Sequence, residues 1–141
     1  MNKKILYGFI AVFVISEIVS ILMNGILLRT AYEATASLWR SDMKSLMWIY
    51  FVIAAIGAFF FTFIFSRGYE GKGMMEGIRY GLYIGIWMGM GMAYGTYAMI
   101  AIPYSMALTW FIGTIIQYIL CGIAVVLIFG KQPVVTRVLP K

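Results

Sequence analysis

The chain has 141 residues, 63% of them hydrophobic and 11% charged, with a formal charge of +6 and a mean hydropathy of +0.93. Soluble domains carry about 25% charged residues, so this composition argues against an ordinary soluble enzyme or binding module and points to an integral membrane protein. There is no histidine, which removes bis-histidine haem ligation, most zinc sites and the usual general base at neutral pH.

Four apolar runs are long enough to cross about 30 Å of hydrocarbon: Ile5–Leu28, Leu46–Phe65, Ile78–Ile100 and Met106–Phe129. Little is left for a soluble domain, so the expected fold is all-α, a four-transmembrane-helix bundle forming one domain over residues 1–141. Lys3 and Lys4 precede the first run as in a secretory signal. Its apolar stretch is longer than a signal core of about 7–15 residues and lacks a small-x-small cleavage site, so it is expected to stay in the mature chain. The basic residues flank the spans. Lys3, Lys4, Arg67, Lys72, Arg79, Lys131, Arg137 and Lys141 fall on the side of both ends, against Arg29, Arg40 and Lys44 on the other. The positive-inside rule then places both ends in the cytoplasm, and the net charge is explained by topology and anionic lipid without a nucleic-acid partner.

The first span carries Glu17 near its midpoint, with Ser20 and Asn24 continuing a polar stripe toward the outer face. A centred carboxyl costs about 2.5–3.5 kcal/mol on the gentlest insertion scales and is a functional candidate by default. It reads either as neutral internal glue hydrogen-bonded to a neighbouring helix, or as a proton or cation site, or as a contact to another subunit. The outer loop from Arg29 to Ser45 predicts a short helix lying in the interface, with Trp39, Trp48 and Tyr50 as aromatic anchors and Ser41-Asp42 as the start signal of the second span.

The second span, crowded with phenylalanines from Phe59 to Phe65, is apolar all round and reads as lipid-exposed or partner-facing. Arg67 ends it. The inner loop supplies turning glycines, and Glu76 with Arg79 is expected to pair at i,i+3. The third span holds the most informative pattern in the chain. Gly73, Gly77, Gly81, Gly85 and Gly89 recur every fourth residue, and Gly91 and Gly95 repeat the spacing. At about 100° per residue all seven fall on one side of a straight helix, with Tyr80, Tyr83, Trp87 and Tyr94 opposite. Small residues four apart let another helix backbone approach closely. Met88, Met92 and Met99 lie among the glycines. Thioethers suit Cu(I), but deformable packing is the simpler reading, and no metal or cofactor is expected.

Pro103 breaks the chain between the third and fourth spans, which must be antiparallel neighbours. Gln117 in the fourth lies about as deep as Glu17 and is the candidate partner for it. The only cysteine, Cys121, is inside that span, so no disulfide framework is available. The tail, residues 130–141, is expected to be an extended arm on the cytoplasmic surface.

The runs TAYEATASLWR, FSRGYEGKGMMEGIRYGLYIG and IPYSMALTWFIG resemble a pattern of small four-helix membrane proteins of bacteria. The resemblance spans Gly25 to Phe129. It implies a bacterial inner-membrane location and a single four-span module, and it brings no activity, cofactor or catalytic residue with it. From the residues, the expected role is an accessory or structural subunit that packs through the glycine helix against a larger membrane complex or copies of itself. The alternative is a small oligomeric proton or cation transporter using Glu17, Ser20, Asn24 and Gln117. Catalysis is not expected, since no nucleophile has a base in evident reach.

Overall fold

Lipid cannot hydrogen-bond a backbone, so an apolar run that crosses it must close its hydrogen bonds internally. In a computed structural model, which describes residues 2–130, each of the four apolar runs is helical. Helix α1 covers Lys3–Ser20 and continues as a π-helical segment, Ile21–Leu27; α2 covers Arg29–Ala34 and α3 Trp48–Gly68. Helix α4 covers Met74–Gly89 and continues through a second π-helical segment, Met90–Tyr94, into α5, Gly95–Met99; α6 covers Tyr104–Phe129. No strand occurs among the described residues. Three stretches, Lys3–Leu27, Met43–Gly68 and Tyr104–Phe129, are long and apolar enough to cross a membrane. The expected tail falls almost wholly outside the described residues, as do Lys131, Arg137 and Lys141.

Helix ends follow local chemistry. The Asn2 side chain accepts from the Lys4 backbone N–H at 3.2 Å and caps α1. Pro103 fixes the entry to α6, and Gly130 stops it with a φ of 68°. Gly71 and Gly73, with φ of 77° and 95°, turn the α3–α4 loop. The Glu76 carboxylate accepts from the backbone N–H groups of Glu70 at 2.6 Å and Lys72 at 2.8 Å. It therefore stitches that loop and does not pair with Arg79, whose guanidinium donates to the Met75 carbonyl at 3.4 Å. The backbone donors win because the glycine turn presents them to the first turn of α4.

The closest approach in the molecule is α4 on α6. Gly77, Gly81, Gly85 and Gly89 are all buried. A Cβ on Gly81 would stand 2.7 Å from the Ile119 Cα, and one on Gly85 2.8 Å from the Ile115 Cα. Gly122 of α6 reciprocates, since a Cβ there would lie 2.8 Å from the Gly77 carbonyl carbon. This seam follows the four-residue ladder onward to Ala93, which is fully buried. Gly91 and Gly95 fall off it and have nothing within 4 Å, as does Gly73. A straight-helix projection grouped all seven; the real contact tracks the i±4 ridge, which leaves out Gly91 and Gly95, while Gly73 turns the loop before α4 begins. Met88, Met92 and Met99 are exposed rather than set in the seam, as are Tyr83 and Trp87.

On its other side α6 receives α1, and α1 packs on α3. Helices α3 and α4 meet through aromatic side chains. The Tyr80 hydroxyl donates to the Phe61 carbonyl at 2.8 Å, and its ring lies 4.7 Å from Phe61 and 5.3 Å from Phe65, centroid to centroid. These rings belong to a core at the near end, where α1 starts and α3 and α6 finish. A second core around Met23, Ala93, Met106 and Trp110 fills the far end, which carries α2 and the α5–α6 hairpin. Helix α3 contributes only to the first. Its buried residues, Ala58, Phe61, Thr62 and Phe65, are confined to its second half. At the crossing with α1, Thr62 faces Gly8, and its hydroxyl is the one buried side-chain oxygen without a hydrogen-bond partner among the described residues.

The glycine seam is testable. Gly81→Leu drives a side chain into backbone that cannot yield, and a loss at or above the usual ~1–3 kcal/mol of overpacking is expected. Gly95→Ala meets nothing and should hold or raise stability, by up to about 0.5–1 kcal/mol. Thermal unfolding in mild detergent reads both, and equal behaviour of the two variants contradicts the seam.

Candidate functional site

Low helix propensity at Asn24-Gly25, together with an amide able to compete for backbone carbonyls, loosens α1 past Ser20. The Asn24 Nδ2 donates to the Ser20 carbonyl at 3.2 Å and lies 3.3 Å from the Ser20 hydroxyl, while the Leu28 N–H reaches back five residues to the Met23 carbonyl at 2.9 Å. Wider π-helical turns of this kind are uncommon and mark functional or strained positions. Here the widened turn aims Asn24 at α2 and α6. Its Oδ1 accepts from the Tyr32 hydroxyl and from the Trp110 indole N–H, both at 3.1 Å. The Trp39 indole donates to Thr35 at 2.9 Å, and the Thr35 hydroxyl donates to the Ala31 carbonyl at 2.7 Å. Ring centroids of Tyr32, Trp39 and Trp110 stand 5.4–6.2 Å apart. The product is a saturated polar knot inside an aromatic triangle. Against its open side lies a cleft of about 320 Å³, lined by Tyr32, Ala36, Trp39, Arg40, Met43 and Lys44 among others.

Trp39 is therefore an inward-packed member of this knot, its indole N–H held by Thr35 and its ring set against Tyr32 and Trp110. Trp48 is exposed. The loop is a short helix and 3₁₀ turns rather than one interfacial helix. Asp42 does not cap α3. Arg40 grips its carboxylate at 2.9 and 3.0 Å and holds it below the usual carboxylate range, and α3 begins at Trp48 without a side-chain cap.

The remaining polar residues are laid out by the α1–α6 register. Met23 packs on Gly113, and the Ser16 hydroxyl lies 3.8 Å from the Cys121 sulfur. Gln117, four residues before Cys121, is thus level with Ser20, four after Ser16. Glu17 is half-buried, about 140° round α1 from the buried Val12, on the flank of exposed Ile10 and Ile21. Among the described residues no hydrogen bond joins it to Gln117; the polar contacts of the seam run through Ser16, Ser20 and Asn24. At the near end, the Arg67 guanidinium lies over the Phe63 ring at 4.9 Å, and Arg79 is exposed.

Tyr32 is the ionisable member of the knot. Burial is the main cause that pushes its phenol up to about 12, so it donates its proton to Asn24 throughout the neutral range. Trp110 is the member that sequence reasoning missed. An indole N–H in an apolar run needs an acceptor, and Asn24 in the first span was the available one. No family model, curated protein or solved structure matches this chain. The knot is thus judged on its chemistry, which is that of a lock: it offers hydrogen bonds that are already taken and no nucleophile or base.

Asn24→Leu leaves the Tyr32 and Trp110 donors without their acceptor. It is expected to cost about 1–3 kcal/mol and to shift tryptophan emission to the red; unchanged emission and stability contradict the lock. A raised acid pKa stabilises below the unfolded value. The Tyr32 contribution should be full below pH 10.0 and fade as the pH climbs toward about 12. Absorbance titration of tyrosinate, with Tyr32→Phe as reference, locates that step.

Proposed function

We propose that the chain is a small structural or accessory subunit of a bacterial inner membrane, with four crossings and both ends cytoplasmic, acting by lateral association with a larger membrane complex or with copies of itself. Continuation of α4 through its π-helical segment to Met99 supports counting it as a fourth crossing beside the three stretches apolar enough to span. The basic residues at the near end support the orientation, and the resemblance to small bacterial four-span proteins supports the location.

Glu17 is the observation that carries this reading. A mid-span carboxyl is expensive in lipid, and here it lies half-buried on an outer flank with no described side-chain partner. A helix from outside the chain, offering an amide or hydroxyl, satisfies it. The glycine groove is not that docking surface, since α6 fills it. A second apolar face is the far half of α3, where Trp48, Tyr50, Phe51 and Ile53 are exposed, so the association surface lies on α1 and α3.

Size measurement after purification in mild detergent tests the proposal. The wild-type chain should run as an assembly of higher mass. Glu17→Leu should release a chain of unchanged helicity, and Glu17→Gln, which keeps a hydrogen-bonding amide, should retain the assembly. Equal masses for wild type and Glu17→Leu overturn the reading. So does loss of proton flux in vesicles by Glu17→Gln with assembly intact, which assigns the residue to transport.

A further inference from the structure

The near end of the molecule does not close. The start of α1 and the ends of α3 and α6 leave a crevice of about 430 Å³ lined by Asn2, Lys4, Ile5, Ser66, Arg67 and Phe129. Its lining holds two cations and no carboxylate.

None of the chain's acids is left to neutralise them. The sequence has five acidic residues. Glu33 holds Arg29 at 3.1 Å, Asp42 holds Arg40, and Glu70 holds Lys72. Glu76 is taken by the backbone of the α3–α4 loop. Glu17 lies in the last turn of α1, more than three turns from the crevice. Lys4 donates to the Phe129 carbonyl at 2.6 Å, which uses one of the three donors of an ammonium. The Arg67 guanidinium carbon lies 4.9 Å from the Phe63 ring centroid, a cation–π contact that engages the charge and needs none of the N–H donors. Asn2, by capping the Lys4 backbone, fixes the start of the helix that carries the lysine.

We propose that this crevice binds the phosphate of an anionic phospholipid, with Lys4 and Arg67 on the phosphate oxygens and Ile5 and Phe129 against the upper acyl chain. The geometry favours a lipid over a soluble phosphate because the crevice pairs a cationic rim with an apolar floor at the ends of three helices apolar enough to cross a membrane. A phospholipid presents that same pairing at the same depth. A zwitterionic choline lipid would bring a cation toward two others. The lipid then bridges the start of α1 and the ends of α3 and α6 across the crevice. The assignment rests on the membrane-spanning reading and is independent of the partner at Glu17.

Native mass spectrometry of the full chain, with phosphatidylglycerol and phosphatidylcholine added in turn, tests it. Wild type should retain phosphatidylglycerol roughly tenfold or more over phosphatidylcholine, as two near-surface cations would give. Lys4→Gln with Arg67→Gln should abolish the preference with helicity unchanged, since the amide placed on α1 can still donate to the Phe129 carbonyl. Lys3→Gln with Arg79→Gln removes the same charge at the same end and should keep it. Glu17→Leu should also keep it, so the two proposals fail separately. Equal retention of the two lipids by wild type, equal loss in both double variants, or displacement of the lipid by millimolar inorganic phosphate overturns the assignment.

Discussion

The backbone of α4 lies directly on the backbone of α6, and most of the architecture depends on that contact. In lipid, burial of apolar surface gives no net drive for helices to associate, so packing must come from close dispersion contacts and the hydrogen bonds they bring within reach. Gly77, Gly81 and Gly85 on α4, met by Gly122 on α6, provide contacts in which a single methyl group has no room, and Gly89 extends the seam more loosely. Once α4 occupies one side of α6, α1 takes another, and α6 becomes the most shared helix of the fold. Helix α3, which has no small-residue ladder, is held by α1 and by rings.

That division explains why the two ends differ in chemistry. With its glycine face spent on α6, α4 turns Tyr80 toward α3, and the gap between them is filled by Phe61, Phe65 and Tyr118. At the far end α3 adds no ring to the core, and its Trp48, Tyr50 and Phe51 are exposed. There both π-helical segments occur, Ile21–Leu27 and Met90–Tyr94, and the space is closed by the Asn24 knot and by α2 folding back onto Trp110. Near-end cohesion is aromatic and apolar; far-end cohesion is a saturated hydrogen-bond cluster.

Much of the fold was legible because glycine spacing and apolar runs act locally. The four-residue ladder announced a close helix partner, and Pro103 made α6 the adjacent candidate. What projection onto a straight helix could not show was where the ladder drifts, which is why Gly91 and Gly95 were grouped with residues they do not join. The polar residues were read less well, since a hydrogen bond depends on register between helices and one sequence does not display it. Gln117 is level with Ser20, yet Glu17 points round the flank. Asp42 and Glu76 each had a local partner nearer than the one their spacing suggested. The sequence also does not display that Trp39 packs against Tyr32 and, far along the chain, Trp110.

The saturation of the Asn24 knot gives meaning to the groups left over. A chain that supplies Asn24 with four close contacts, and that spends four of its five acids on local partners, does not lack the means to satisfy a polar side chain. Glu17 on the flank of α1, and Lys4 with Arg67 beside the near-end crevice, are among the polar groups left with capacity to spare. In a medium of low dielectric such capacity is costly unless something fills it. A carboxyl on an apolar helix suits a hydrogen-bonding neighbour, and two cations lining one crevice suit an anion. The interior is organised to hold the bundle together without help, and its function is to be sought at the surfaces where it stops doing so.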